Sequence, residues 1–165
     1  MKVSKVAPCL WFNGEAEDAA KFYVSLFPDS RIEQISRYGD GTAGLPVSFP
    51  KGTAWLVEFA LAGQRFQALN GGPQFRPTEG MSLSISCRDA QEVDHYWNAL
   101  TANGGAEVAC GWLKDRFGVS WQVVPEGLGE LISDRDPARV RRALQALLTM
   151  KKLDLAAMRK AADAA

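Results

Sequence analysis

The feature that most constrains this chain is a repeat. Two stretches carry the same order of elements: strand, helix, strand, strand, strand. Each ends in a hairpin whose glycine is followed four residues later by a glutamine, Gly63 with Gln67 in the first half and Gly118 with Gln122 in the second. Units of this length are too long for solenoid repeats. They point instead to two βαβββ modules closing on each other.

In the first half, residues 6–12 (VAPCLWF) form a strand that is apolar on both faces, as expected with a helix on one side and a core or cavity on the other. Asn13-Gly14 ends it. A helix over 15–27 follows, with Ala16, Ala19, Ala20, Tyr23, Leu26 and Phe27 at three- and four-residue steps and acids in its first turn. Strands are expected at 31–37, 53–61 and 65–70. The stretch 38–52 is rich in glycine and proline and reads as a long loop that folds over something. A second such connector, 71–80, reads as a module boundary.

The second half restarts with the alternating strand 81–88 (MSLSISCR). Asp89 with Glu92 three residues on has the capping-box arrangement and opens a helix with Val93, Tyr96, Trp97 and Leu100 on its buried stripe. Asn103-Gly104-Gly105 is a left-handed stop. Short strands at 107–109 and 111–114 lead to the turn Asp115-Arg116-Phe117-Gly118 and an alternating strand over 119–124. Beyond Pro125 the pattern becomes helical. Asp136-Pro137 is a cap followed by proline at the first helical position, and Leu153-Asp154 interrupts before a last short helix over 155–162. The apolar face of this tail must dock, either on its own domain or on a second subunit.

Nineteen basic and nineteen acidic residues cancel, which argues against the basic stripe a nucleic-acid surface needs. No apolar run approaches the roughly 20 residues of a membrane span. The N-terminus runs into strand-like sequence with no signal-peptide core, so the expected location is cytoplasmic. Three cysteines, Cys9, Cys87 and Cys110, lie in or beside strands without CxxC spacing. They read as buried free thiols.

Three segments carry a family likeness: LWFNGEAEDAAKFYVSLFPDSRI, FALAGQRFQALNGGPQF and CGWLKDRFGVSWQVVP. Together they resemble the PhnB-like branch, labelled 3-demethylubiquinone-9 3-methyltransferase, of the vicinal oxygen chelate superfamily, which includes glyoxalase I, bleomycin-resistance proteins and extradiol dioxygenases. The resemblance implies an α+β fold in which two βαβββ modules, at about 3–72 and 80–132, form an open, barrel-like sheet around a cavity. That makes one domain over 1–135, with a helical extension over 136–165. It also implies pairing of modules within or between subunits, and hence a homodimer.

Enzymes of the superfamily hold a divalent metal with His, Glu or Gln from the first and last strands. Aligning the strand exits, Asn13 and Asp89, places Val6 and Ser82 at the histidine positions; aligning the hairpins places Gln67 and Gln122 at the carboxylate positions. Valine cannot ligate, and the remaining set is neutral, which suits a hard or borderline cation poorly. The single histidine, His95, is turned away from the apolar stripe of its helix. No metal and no other cofactor is therefore expected.

Period-two alternation then assigns the faces. Ser82, Ser84 and Ser86, with Ser120, Gln122 and Val124, should look into the cavity. So should Arg65, Gln67 and Leu69, opposite Val6, Pro8, Leu10 and Phe12. Trp11, Trp97 and Trp121 read as core, and Trp55 and Trp112 as partly exposed near the cavity. The candidate ligand-binding set is Gln67, Gln122, Ser82, Ser84, Arg65, Ser120, Phe12 and Trp112. Arg65 is either the counter-charge of an anion or a solvated residue after a turn. The two glutamines either contact a ligand or satisfy buried neighbours. The expected function is binding of a small neutral or weakly anionic organic molecule without metal. The alternative is a lyase, isomerase or dioxygenase whose metal is held by Gln67, Gln122 and atoms of a second subunit. The methyltransferase named by the family label finds no glycine-rich strand–turn–helix of the kind that cradles a nucleotide-like cofactor.

Overall fold

Each half of the repeat closes on itself by pairing its first strand with its last. In the computed structural model, which describes residues 5–47 and 49–164, the first half contains β1 (Cys9–Phe12), α1 (Ala16–Leu26), β2 (Arg31–Arg37), β3 (Ala54–Leu61) and β4 (Gln64–Asn70). The second contains β5 (Ser82–Cys87), α2 (Ala90–Thr101), β6 (Ala106–Glu107), β7 (Trp112–Lys114) and β8 (Ser120–Pro125). The sheets have the orders β1-β4-β3-β2 and β5-β8-β7-β6, which are the same order. In both, the first and last strands run parallel and the other neighbours antiparallel. Two four-stranded mixed sheets with helices make the fold α+β, as the repeat implies. The chain divides into two units, Met1–Pro77 and Thr78–Ala165.

A parallel pair needs a crossover, and α1 and α2 supply it, each covering one face of its own sheet. In the first unit, Ala16, Ala19, Ala20 and Tyr23 are fully buried, together with Val57, Phe59 and Ala68 of the sheet. The three alanines let the helix backbone approach closely, while Tyr23 stacks on Phe59 with ring centroids 6.4 Å apart. In the second unit, Val93, Tyr96, Trp97 and Leu100 are buried along with Ile85, Leu113, Trp121 and Val123.

The two helices are capped by different means. Asp89 caps α2 in the expected way, its carboxylate accepting the Glu92 N–H at 2.8 Å. Helix α1 has no side-chain cap from its own N-cap residue, Glu15. Instead Asn70, at the end of β4 and fully buried, accepts from the Gly14 N–H at 2.8 Å and the Ala16 N–H at 3.1 Å. Its amide nitrogen donates to the Ala54 carbonyl at 2.8 Å, and its backbone carbonyl accepts from the Tyr38 hydroxyl at 2.7 Å. One buried amide thus joins β4, β3 and the start of α1.

The loop after β2 is held through its ends. Tyr38 is buried, and its ring lies 5.3 Å from that of Phe49. Arg37 forks onto Glu17 of α1 at 2.7 and 3.1 Å and also donates to the Gly52 carbonyl at 2.9 Å. Lys21 reaches the same carboxylate at 2.8 Å. Arg37 foremost, then Lys21, holds the Glu17 carboxyl down at about 2.

The tail belongs to the second unit. It comprises α3 (Leu128–Ile132), which sequence periodicity does not reveal, α4 (Pro137–Leu148) and α5 (Leu155–Asp163). Asp136 and Asp154 cap the last two. Leu128, Leu131, Ala143, Leu153, Met158 and Ala162 form its own apolar cluster, with Val124 of β8 packed against it. The tail is fastened at a kink before β7, where the Cys110 and Gly111 amides donate to the Met150 and Lys151 carbonyls at 2.8 and 2.7 Å.

Asn70→Ala leaves two helix-start N–H groups and the Ala54 carbonyl without this partner. We expect a loss of about 2–4 kcal/mol in urea unfolding, combining a lost cap with buried unsatisfied groups. The Glu17 carboxyl ionises more readily folded than unfolded, so its contribution is complete above the ordinary carboxylate pKa and fades as pH falls toward about 2. Glu17→Gln should accordingly be less stable than the native chain at neutral pH and converge with it in melts below that range.

Candidate functional site

In each unit the face opposite the helix carries the candidate residues. Residues paired in register across adjacent strands share a face, so the register fixes the site. In the second unit β8 is central: Ser120 stands between Ser82 and Lys114, and Gln122 between Ser84 and Trp112. Five of the candidates, Ser82, Ser84, Ser120, Gln122 and Trp112, therefore share one face, with Ser86 and Val124 in the next row. This is the arrangement that alternation implies. The Gln122 side-chain amide donates to the Ser82 hydroxyl at 2.9 Å. Ser120 is buried to 1% exposure, and among the described residues its hydroxyl oxygen has no hydrogen-bond partner.

The turn that feeds β8 is pinned by Asp115, which is itself buried. One carboxylate oxygen accepts the Phe117 and Val119 N–H groups at 2.8 and 3.0 Å; the other accepts the Trp121 indole N–H at 2.9 Å. Gly118 takes a φ of 84°, where glycine meets no steric penalty. Pinning the turn and Trp121 together sets the register and so directs Gln122 to the open face.

In the first unit the corresponding row is Cys9, Gln67 and Glu58. Gln67 stands three residues before the end of its strand, as Gln122 does. Arg65 lies on the same face but is committed to carboxylates: it reaches Glu33 at 3.2 Å and Glu58 at 3.0 Å. Glu33 is shared with Arg31 at 2.9 Å. This network answers the question left open for Arg65: it is neither a free counter-charge nor simply solvated.

The face expected for β1 is corrected. Leu10 pairs with Ala68 and Phe12 with Asn70, so both lie on the buried side with α1, at 8% and 4% exposure. Cys9 and Trp11 occupy the open face instead. Phe12 is a core residue of the first unit, away from Gln67. Val6 and Pro8 precede the strand, and Val6 is 79% exposed. The physical reason is loop length. Three residues, 13–15, separate β1 from α1, whereas two, 88–89, separate β5 from α2, so aligning the strand exits displaces the register by one and reverses every side chain. Trp11 is likewise half-buried on the open face, its indole donating to the Gly72 carbonyl at 2.8 Å and its ring edge-on to Phe75. Cys9 is exposed rather than buried. Cys87 is buried as expected, which together with the nearby carboxylates pushes its thiol up to about 12.

The metal that the resemblance implies does not fit these residues. Val6 lies outside β1, and Gln67 and Gln122, the latter donating its Nε2 to Ser82, each offer a metal only one neutral oxygen. Among the described residues no three His, Cys, Asp or Glu side chains come together as a ligand group. His95 is exposed on α2, its ring edge-on to Tyr96. Among the described residues no helix is long and apolar enough to cross a membrane.

The sequence profile of the family described as 3-demethylubiquinone-9 3-methyltransferase matches residues 4–124. Among solved structures, the chain is similar to a putative 3-demethylubiquinone-9 3-methyltransferase, the PhnB protein, from Bacillus cereus. That match has 34% identity and a TM-score of 0.66, over 74% of this chain and 99% of the other. Protein PA1353 from Pseudomonas aeruginosa matches at 23% identity and a TM-score of 0.61, over 75% and 98%. The fosfomycin resistance protein FosX from Listeria monocytogenes, in complex with Mn(II) and sulfate, matches at 15% identity and a TM-score of 0.51, over 80% and 97%. These last two likenesses concern the fold. No curated protein matches the chain. The profile spans most of the chain, and the Bacillus protein is matched over nearly its whole length: the chain belongs to the PhnB-like, 3-demethylubiquinone-9 3-methyltransferase family.

Proposed function

We propose that this protein binds a small neutral or weakly anionic organic molecule on the open faces of its sheets, without a metal, as a homodimer. The observation that carries the reading is the row of neutral hydrogen-bonding groups on the second sheet. Gln122 and Ser82 are already bonded to each other, Ser84 and Trp112 flank Gln122, and the Ser120 hydroxyl is buried without a partner among the described residues. Hydroxyls and an amide beside an indole suit a ligand held by oriented hydrogen bonds against an aromatic surface. Arg65, balanced by two carboxylates, adds no free positive charge, which favours a neutral ligand over a strongly anionic one. Gln67 places the same kind of neutral amide on the open face of the first sheet, a separate candidate in its own unit.

A methyltransferase activity has little to rest on in this geometry. Each sheet has a single parallel pair, unlike the doubly wound sheets whose strand ends cradle nucleotide-like cofactors. A lyase, isomerase or dioxygenase would need the metal that the donor set does not suit.

Thermal-shift and native-mass screening of neutral and weakly acidic aromatic compounds should give ligands whose binding is unaffected by EDTA. Gln122→Leu should weaken those ligands several-fold, the worth of one neutral hydrogen bond, while Gln67→Leu tests the first sheet separately. Protein purified without chelators that carries stoichiometric Mn, Fe, Zn, Ni or Co, with EDTA abolishing ligand binding, would overturn the metal-free reading. Equilibrium sedimentation at micromolar concentration should return twice the chain mass of 18.0 kDa.

A further inference from the structure

The tail does more than bury its own apolar face. Where it meets the start of α2 and the end of β8 it leaves a cavity of about 470 Å³, within the size range of small-molecule sites. One wall comes from the β5–α2 corner and the other from residues 152–159 of the tail. The family profile ends at residue 124, and the Bacillus relative is matched almost completely by about three quarters of this chain. The cavity is therefore built between the family's shared fold and a segment outside the matched profile.

Its floor is apolar: Val93, Pro125 and Leu153 are buried, and Leu155 is half-buried. Most of its charged rim is already engaged. Arg88 is tied to Glu92 and Lys152 to Asp94, while Asp89 and Asp154 accept backbone N–H groups as helix caps. Two side chains are left over. Among the described residues, Arg159 and Glu126 make no side-chain hydrogen bond or ion pair, with each other or with any neighbour. The Arg159 guanidinium nevertheless lies over the backbone next to Glu126, since a Cβ on Gly127 would stand 2.8 Å from its Nη2. Gly127, at a φ of 89°, allows that approach. Behind Glu92, Glu126 also lies near enough to Arg88 to help raise its pKa, but a cleft with an apolar floor and one charge of each sign that has no hydrogen-bonded partner is complementary to a molecule carrying the same three features.

We propose that this cleft is a second ligand site, which takes a small zwitterion with an apolar body, of the apolar amino-acid class. Arg159 receives the carboxylate through its two-pronged donor edge, Glu126 the ammonium, and the apolar body lies against Val93, Pro125, Leu153 and Leu155. The site is separate from the open-face site and stands or falls independently of it.

Isothermal titration of the full chain with L-phenylalanine, 3-phenylpropionate and 2-phenylethylamine tests each part. Phenylalanine should bind saturably and at least about tenfold more tightly than either single-charge analogue, since each hydrogen-bonded charge is worth about that factor. Arg159→Gln should weaken phenylalanine and 3-phenylpropionate about tenfold and leave 2-phenylethylamine unchanged; Glu126→Gln should weaken phenylalanine and 2-phenylethylamine about tenfold and leave 3-phenylpropionate unchanged. Both side chains are exposed, and unchanged melting curves will show that the variants fold. No saturable binding of any of the three, or binding that neither substitution alters, overturns the site. Equal affinity for phenylalanine and 3-phenylpropionate, unaffected by Glu126→Gln, overturns the zwitterion assignment.

Discussion

Everything in each unit follows from one pairing, the parallel ladder between its first and last strands. A parallel neighbour cannot be reached by a tight turn, so the chain must cross over, and it crosses as a helix. That helix can cover only one face of a four-stranded sheet. The other face is left to whatever the protein uses it for, and the register of the same ladder decides which residues appear there. Gln67 and Gln122 hold equivalent places because both ladders end three residues beyond them, at Phe12–Asn70 and Cys87–Pro125.

How much of this is legible in the chain alone depends on where the information is stored. The second sheet reads well because β5 and β8 alternate: serines and a glutamine on one face, Leu83, Ile85, Trp121 and Val123 on the other. The run VAPCLWF has no such contrast, so nothing local separates its two faces, and a one-residue difference between two short loops is enough to reverse them. Capped helix starts at Asp89 and Asp136 are local signals and are readable, whereas Asp154 reads only as an interruption between helices. The short α3 is not, since Gly127 and Gly129 interrupt its apolar spacing.

The long-range polar contacts are the least legible part. Asn70 caps a helix that begins more than fifty residues before it, and nothing near it in sequence marks that role. Arg65 draws one carboxylate from β2 and one from β3. Seen alone, it is an arginine after a turn; only the sheet order brings its two partners beside it. Asp115 lies between these extremes. Its turn is recognisable, but its hold on the Trp121 indole depends on the hairpin having closed.

The two capping solutions bear on whether parts of the halves can be exchanged. Where β4 ends in an asparagine that serves α1, β8 ends at the matching register position in Pro125, which has no side-chain amide to offer; α2 is served by its own Asp89 instead. The halves share a blueprint but no longer share parts. A chimera with β8 grafted in place of β4 would keep the hairpin and the glutamine yet strand the start of α1, whereas the reverse graft would bring a superfluous amide to a helix already capped. The asymmetry between the halves thus runs in one direction and rests on a single buried side chain.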